Sequence, residues 1–224
     1  MNLASSRADA VRPPIPTAIL ASGNGSNLAA VIDAAKRGDL PLDVRIVISN
    51  KPGARALERA ASAGVEAHVL AFDSQREDRD AYAKRLAAAI KERSIELVLL
   101  LGWMHVLDPA FLRAGFTGVL NLHPAYLPED PKADTVEFPD GVRTPAFRGA
   151  HALRDALAAG VPCTGASLIQ ITADVDRGPV LARMPMPLTS GEDEASALER
   201  LHVVERDVVR TGILRWMKAQ GKRR

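Results

Sequence analysis

The chain has 224 residues, 47% of them hydrophobic and 25% charged, a composition suited to one soluble globular core and too short for two. The formal charge is +2 and the basic residues are scattered apart from Lys222-Arg223-Arg224, so no electrostatic footprint for nucleic acid stands out. A single cysteine, Cys163, excludes an intramolecular disulfide and a cysteine-based zinc site, and no run approaches the roughly 20 apolar residues of a membrane span.

A reducing cytoplasm is the expected compartment. Residues 1–16, with Arg12-Pro13-Pro14 and Pro16, lack the apolar core of a secretory signal and are expected to be a flexible leader. One domain is expected over 17–220, with 221–224 as a basic tail. Within it, Thr17-Ala18-Ile19-Leu20-Ala21 reads as a short strand, followed by the glycine turn Ser22-Gly23-Asn24-Gly25-Ser26-Asn27 and a helix over 28–37 that Gly38 ends. A strand over 43–49, a helix over 54–63 closed by Gly64, and a strand over 66–70 repeat the pattern. Residues 78–93 form a periodic helix with Tyr82, Leu86, Ala89 and Ile90 on one face. The strand at 96–101 is an almost unbroken apolar run, as expected of a central parallel strand covered on both faces. Repeated βα units ahead of the strand that ends in Asn121-Leu122-His123-Pro124 predict an α/β fold with a doubly wound, mostly parallel sheet of Rossmann-like form, flanked by helices.

Beyond His123 the pattern loosens. Residues 129–147 are polar, contain Pro131, Pro139 and Asp140-Gly141, and read as an inserted loop with at most a small hairpin pairing 135–138 with residues near Val142. A helix over 148–159, a strand over 164–172 and an extended run over 179–188 follow. Prolines at 185 and 187 place that last run at a sheet edge, in an extended antiparallel C-terminal part. Residues 192–217 form a long amphipathic helix, continuous or broken, with an acidic first turn.

Three stretches hold chemistry. Asn121 and His123, two apart on a strand, point to one side, and Pro124 stops the strand at the edge where parallel sheets bind ligands. The glycine loop offers backbone N–H groups at a helix start, an anion site. It lacks the Gly-Lys-Ser/Thr of a Walker A loop, Leu28 replaces the small residue of a dinucleotide fingerprint, and Ser49-Asn50 replaces its acid, so a phosphate monoester on Gly25, Ser26 and Asn27 remains, against a plain helix-capping turn. Asp174-Val175-Asp176-Arg177-Gly178-Pro179 is a solvated turn or a carboxylate brought to the same edge. A carboxamide and an imidazolium both donate to an oxyanion, and a neighbouring acid favours the charged imidazole. With no serine or cysteine in a nucleophile motif, direct attack by the substrate is expected.

The loop from Ala21 to Leu28, the run Gly102-Trp103-Met104 through Leu107 with Pro109-Ala110-Phe111, Asn121-Leu122-His123-Pro124 with Leu127-Pro128, and Asp176-Arg177-Gly178-Pro179 resemble, in order, the phosphoribosylglycinamide formyltransferases of the formyl transferase family, folate-dependent enzymes of purine synthesis. The resemblance implies that Asn121 and His123 polarise a formyl oxygen while Asp176 sustains the histidine charge. It implies further that Gly25, Ser26, Asn27 and Glu205 hold glycinamide ribonucleotide, and that Arg79, Met104, His105, Val106, Leu107 and Asn121 meet 10-formyltetrahydrofolate as co-substrate, with 172–176 presenting backbone groups to its pterin. No metal is implied; the partners are small molecules, not nucleic acid or membrane, and the protein is expected as a monomer or homodimer. Departures from the family pattern are His105 for a frequent arginine, His202 for a frequent glutamine, Ile169 for a polar residue, Ala125-Tyr126 after His-Pro, and the insertion. The rival readings are formyl transfer to another phosphorylated or nucleotide-linked amine, and a non-catalytic phosphometabolite-binding protein.

Overall fold

The computed structural model describes residues 13–221. Four βα units come first: β1 (Ile15–Leu20) and α1 (Ser26–Lys36), β2 (Leu42–Ser49) and α2 (Arg55–Ser62), β3 (Glu66–Val69) and α3 (Arg79–Lys91), then β4 (Leu97–Leu101) and the short α4 (Pro109–Leu112). β5 (Gly118–His123) follows, then the hairpin β6 (Thr135–Glu137) and β7 (Arg143–Pro145), α5 (Ala152–Ala158), β8 (Cys163–Gln170), β9 (Val180–Pro187) and α6 (Glu194–Gly221). Seven strands form one sheet in the order β3-β2-β1-β4-β5-β8-β9. The pairs from β3 to β5 are parallel, whereas β8 runs antiparallel to β5 and β9 antiparallel to β8. The proline-bearing β9 lies at the edge, where a missing N–H costs no ladder bond.

All five residues of β4 are buried because both faces are covered. Leu97, Leu99 and Leu101 join Leu28, Ile32, Leu201 and Trp216 in a core under α1, α2 and α6, while Val98 and Leu100 join Tyr82, Leu86, Ile90 and Phe111 in a second core under α3 and α4. Asp78 starts α3 by accepting from Ala81 N–H at 2.7 Å, and Asp108 starts α4 from Ala110 N–H at 2.9 Å with Pro109 in the first turn.

Several boundaries differ from expectation. β1 begins at Ile15, inside the segment read as a leader, because Ile15 N–H bonds Pro41 O at 2.9 Å; residues 1–12, and Lys222-Arg223-Arg224 of the expected tail, lie outside the described residues. The helix expected from Arg148 starts at Ala152, since Arg148 and Gly149 bond the loop of Asp176 instead. α6 is a single helix reaching Gly221. The insertion forms the expected hairpin, three residues a strand, with Val136 paired to Thr144.

Candidate active site

Anion-binding geometry begins where β1 ends. Ala21 N–H bonds Ile48 O and Ser22 N–H bonds Gly102 O, both at 3.0 Å, carrying the chain off the sheet between β2 and β4. Gly25, not Ser26 or Asn27, is the N-cap of α1, at φ 74°. A side chain there would be strained by the left-handed backbone, and its Cβ would stand 2.8 Å from Ala56 Cα in the first turn of α2. Because a glycine cap has no side chain to accept from them, the first N–H groups of α1 stay available to an anion.

Asn27 is oriented from the far helix: its Nδ2 donates to Glu205 Oε2 at 2.7 Å. Glu205 is 5% exposed, on the buried stripe of α6 between Leu201 and Val208. Burial raises its pKa to about 7 against the opposing pull of the Asn27 bond and Arg206. Among the described residues no donor reaches Asn27 Oδ1, a buried acceptor. His202 Nε2 stands 4.0 Å from Glu205 Oε2, and burial, ahead of Arg206, lowers the His202 pKa.

At the end of β5, Asn121 and His123 share the face of Val119, as the period of two requires. His123 is buried. Its Nε2 lies 2.8 Å from Phe147 O, and since a carbonyl only accepts, Nε2 holds the hydrogen. Nδ1 then faces Asp176 Oδ2 at 3.6 Å, and Asn121 Nδ2 donates to Asp176 Oδ1 at 3.3 Å. The acid therefore meets the Asn121 amide and the His123 ring together, although it follows Asn121 by 55 residues in sequence. It arrives there because Gly178 packs so closely on Gln170 O that a Cβ would overlap it, folding the loop back where Gln170 N–H bonds Pro179 O at 3.0 Å. Gly149 N–H fixes Asp176 Oδ2 at 2.9 Å.

The other end of the site is apolar. Trp103, Met104, Val106 and Leu107 face Ile169, Ile171 and Val175, and Met104, Val106 and Val175 are each about half exposed, large apolar side chains left open in a cleft. His105 lines it too, with its ring 5.2 Å from those of Phe72 and Tyr82, and burial, ahead of Arg79, lowers its pKa. It is a packed ring here rather than a substitute cation. Arg79 stands behind this wall, donating to Val106 O at 3.0 Å. Ser22 joins the two ends: its Oγ donates to Asn50 Oδ1 at 2.7 Å and accepts from Met104 N–H at 3.0 Å.

One cavity of about 460 Å³ takes in the glycine loop, Glu205, the Asn121, His123 and Asp176 cluster and the apolar wall. It brings together every residue expected from the sequence except Arg79. The contributions of Phe147 O, Gly149 N–H and Ser22 were not expected; the first two are main-chain groups and leave no residue signature. Among the described residues no group of three metal-ligating side chains occurs, and no helix is long and apolar enough to cross a membrane.

The formyl transferase family model matches residues 16–137 and 144–212. The chain belongs to the formyl transferase family. The unmatched 138–143 span the turn of the β6–β7 hairpin. This formyl transferase is 37% identical over 193 residues to phosphoribosylglycinamide formyltransferase of Mycobacterium tuberculosis, covering 86% of the chain and 80% of that protein. It is 37% identical over 190 residues to the enzyme of that name from Escherichia coli, covering 84% and 80%. Its fold is similar to glycinamide ribonucleotide transformylase 1 from Symbiobacterium toebii, with a TM-score of 0.78, 31% identity, and 89% and 85% of the two chains covered.

Proposed function

We propose that this formyl transferase moves the formyl group of 10-formyltetrahydrofolate to the amine of glycinamide ribonucleotide, the step its relatives are named for, as a cytoplasmic enzyme acting on small molecules. The observation that supports it best is the single cavity in which an anion cradle and an apolar cleft meet at Asn121, His123 and Asp176.

The ribotide phosphate sits on the N–H groups of Gly25, Ser26 and Asn27, and Glu205 with the free acceptor of Asn27 takes donors of the same molecule. The folate supplies the formyl carbon. Its flat ring system suits the cleft of Met104, Val106 and Val175 beside the main chain of 172–174, with Leu107, His105 and Arg79 forming and backing the wall. Asn121 Nδ2 and His123 Nδ1 both point toward the Asp176 carboxylate, so an oxygen arriving between them meets two donors when the ring carries a proton on both nitrogens. As the amine attacks, those donors stabilise the oxyanion that grows on the formyl oxygen, and Asp176 balances the imidazolium and accepts the amine proton through water; collapse of the intermediate then breaks the bond from the formyl carbon to the folate nitrogen, which takes that proton back and leaves as tetrahydrofolate. Holding both substrates in one cavity supplies orientation as well.

The test is consumption of 10-formyltetrahydrofolate by the purified protein with and without the ribotide. Turnover only when the ribotide is present is expected. Turnover with another phosphorylated amine and none with the ribotide contradicts the choice of acceptor, and binding of both without turnover contradicts catalysis.

A further inference from the structure

The β6–β7 hairpin gives no residue to the cavity wall, yet it is firmly attached. Phe138 stacks on Tyr126 with ring centres 4.7 Å apart, Arg183 lies 4.5 Å over the same ring, and Val136 and Cys163 complete a small apolar cluster. Two arginines join the base of this anchored unit to the loop of Asp176, Arg177 from that loop and Arg148 from the segment after β7. Arg177 donates to Pro131 O at 2.8 Å and Asp134 Oδ1 at 2.7 Å. Arg148 spans farther: its Nε donates to the main-chain carbonyl of Asp176 at 3.2 Å, its Nη2 to Ala133 O at 2.9 Å, and its Nη1 is 3.5 Å from Asp134 Oδ1.

Asp176 needs holding. Its φ of 52° is left-handed, a conformation that costs a non-glycine residue roughly 1 kcal/mol. The carboxylate is gripped by Gly149 N–H and Asn121, but the main chain that aims it is gripped by Arg148. The Arg148 side chain is 13% exposed, against 35% for Arg177 and 77% for Asp134. Burial, ahead of the nearby Arg177, lowers its pKa, a desolvation cost that the carbonyls of Asp176 and Ala133 and the Asp134 carboxylate offset.

We propose that Arg148 is a positioning residue that ties the backbone of Asp176 to the hairpin and thereby sets the carboxylate against His123 and Asn121. The inference rests on the catalytic reading of Asp176. It makes the hairpin a brace for the transfer step rather than a cover over the cofactor cleft.

Steady-state kinetics of Arg148→Ala, Arg148→Lys and Asp134→Ala, with Asp176→Asn measured beside them, test it. Arg148→Ala is expected to lower kcat by about 30-fold with both KM values within about threefold, because a shift of order one ångström at a reacting group costs up to about 10²-fold. Arg148→Lys retains a charged donor and recovers part of the loss. Asp134→Ala, at an exposed partner, is expected to lower kcat about threefold. Should Arg148→Ala fail to fold, lowered kcat at unchanged KM in the other two supports the brace. Parental kcat in Arg148→Ala, parental kcat in both of the milder variants, or a loss confined to KM, overturns it. If Asp176→Asn is itself as active as the parent, the catalytic reading fails; if it is inactive while Arg148→Ala is not, only the brace fails.

Discussion

The anion end of the cavity rests on regular elements, β1, the glycine turn and the first turn of α1, whereas the transfer centre takes only Asn121 and His123 from a strand and draws Asp176, Phe147 and Gly149 from loops. The first end is set by steric fit, since Gly25 admits no Cβ beside Ala56. The second is set by hydrogen bonds between distant segments: Asn121 to Asp176, His123 to Phe147, Arg148 to Ala133. Changes at the two ends should therefore fail differently, the anion end in binding and the transfer centre in turnover.

The largest expected effect is at the centre. His123→Ala should lower kcat by about 10³-fold, about 4 kcal/mol of transition-state stabilisation, while ribotide binding measured by calorimetry stays near parental. Equal losses of binding and turnover would erase the distinction between the two ends. Gly25→Ala should do the reverse, raising the ribotide KM by about tenfold or more with a smaller change in kcat, and lowering stability by roughly 1–2 kcal/mol. A normal ribotide KM in that variant would show that the loop does not hold the phosphate.

Glu205 sharpens the comparison through pH. Its folded pKa of about 7 lies above the ordinary 4.5, so the folded state holds the extra proton between those values. Folding then loses stability as pH rises from about 4.5 through about 7, by roughly 3 kcal/mol at the upper end, and loses nothing from this group below that window. Without substrate, Glu205→Gln should melt higher than the parent at pH 8 and together with it near pH 4, while its ribotide KM rises. A parent more stable than the variant at pH 8 would contradict the cost of the buried acid. The smallest effect is expected at Arg79→Ala, about threefold in the folate KM with kcat unchanged, because an exposed guanidinium supports Val106 from behind.

The contrast between the two ends also explains what was legible in the sequence. The βα units from β1 to β5 were readable because apolar runs and glycine stops are local, and Asn121 and His123 because strand period and Pro124 are local too. α4 escaped because four residues show no periodicity, although Asp108-Pro109 marks its start. Glu205 was named only through family resemblance, yet an acid between Leu201 and Val208 on the apolar stripe of a helix is a physical signal in its own right. Arg148 was assigned to a helix and Phe147 to a loop, because their partners, Ala133, Asp176 and His123, lie 15 to 28 residues away and are joined to them only by folding.

The central claim is that the cavity passes a formyl group from its apolar end to an amine anchored at its anion end. Incubating the protein with glycinamide ribonucleotide and 10-formyltetrahydrofolate labelled at the formyl carbon, then locating the label, tests it directly. The account predicts the label on the ribotide amine; label released as free formate, or left on the folate, would contradict it.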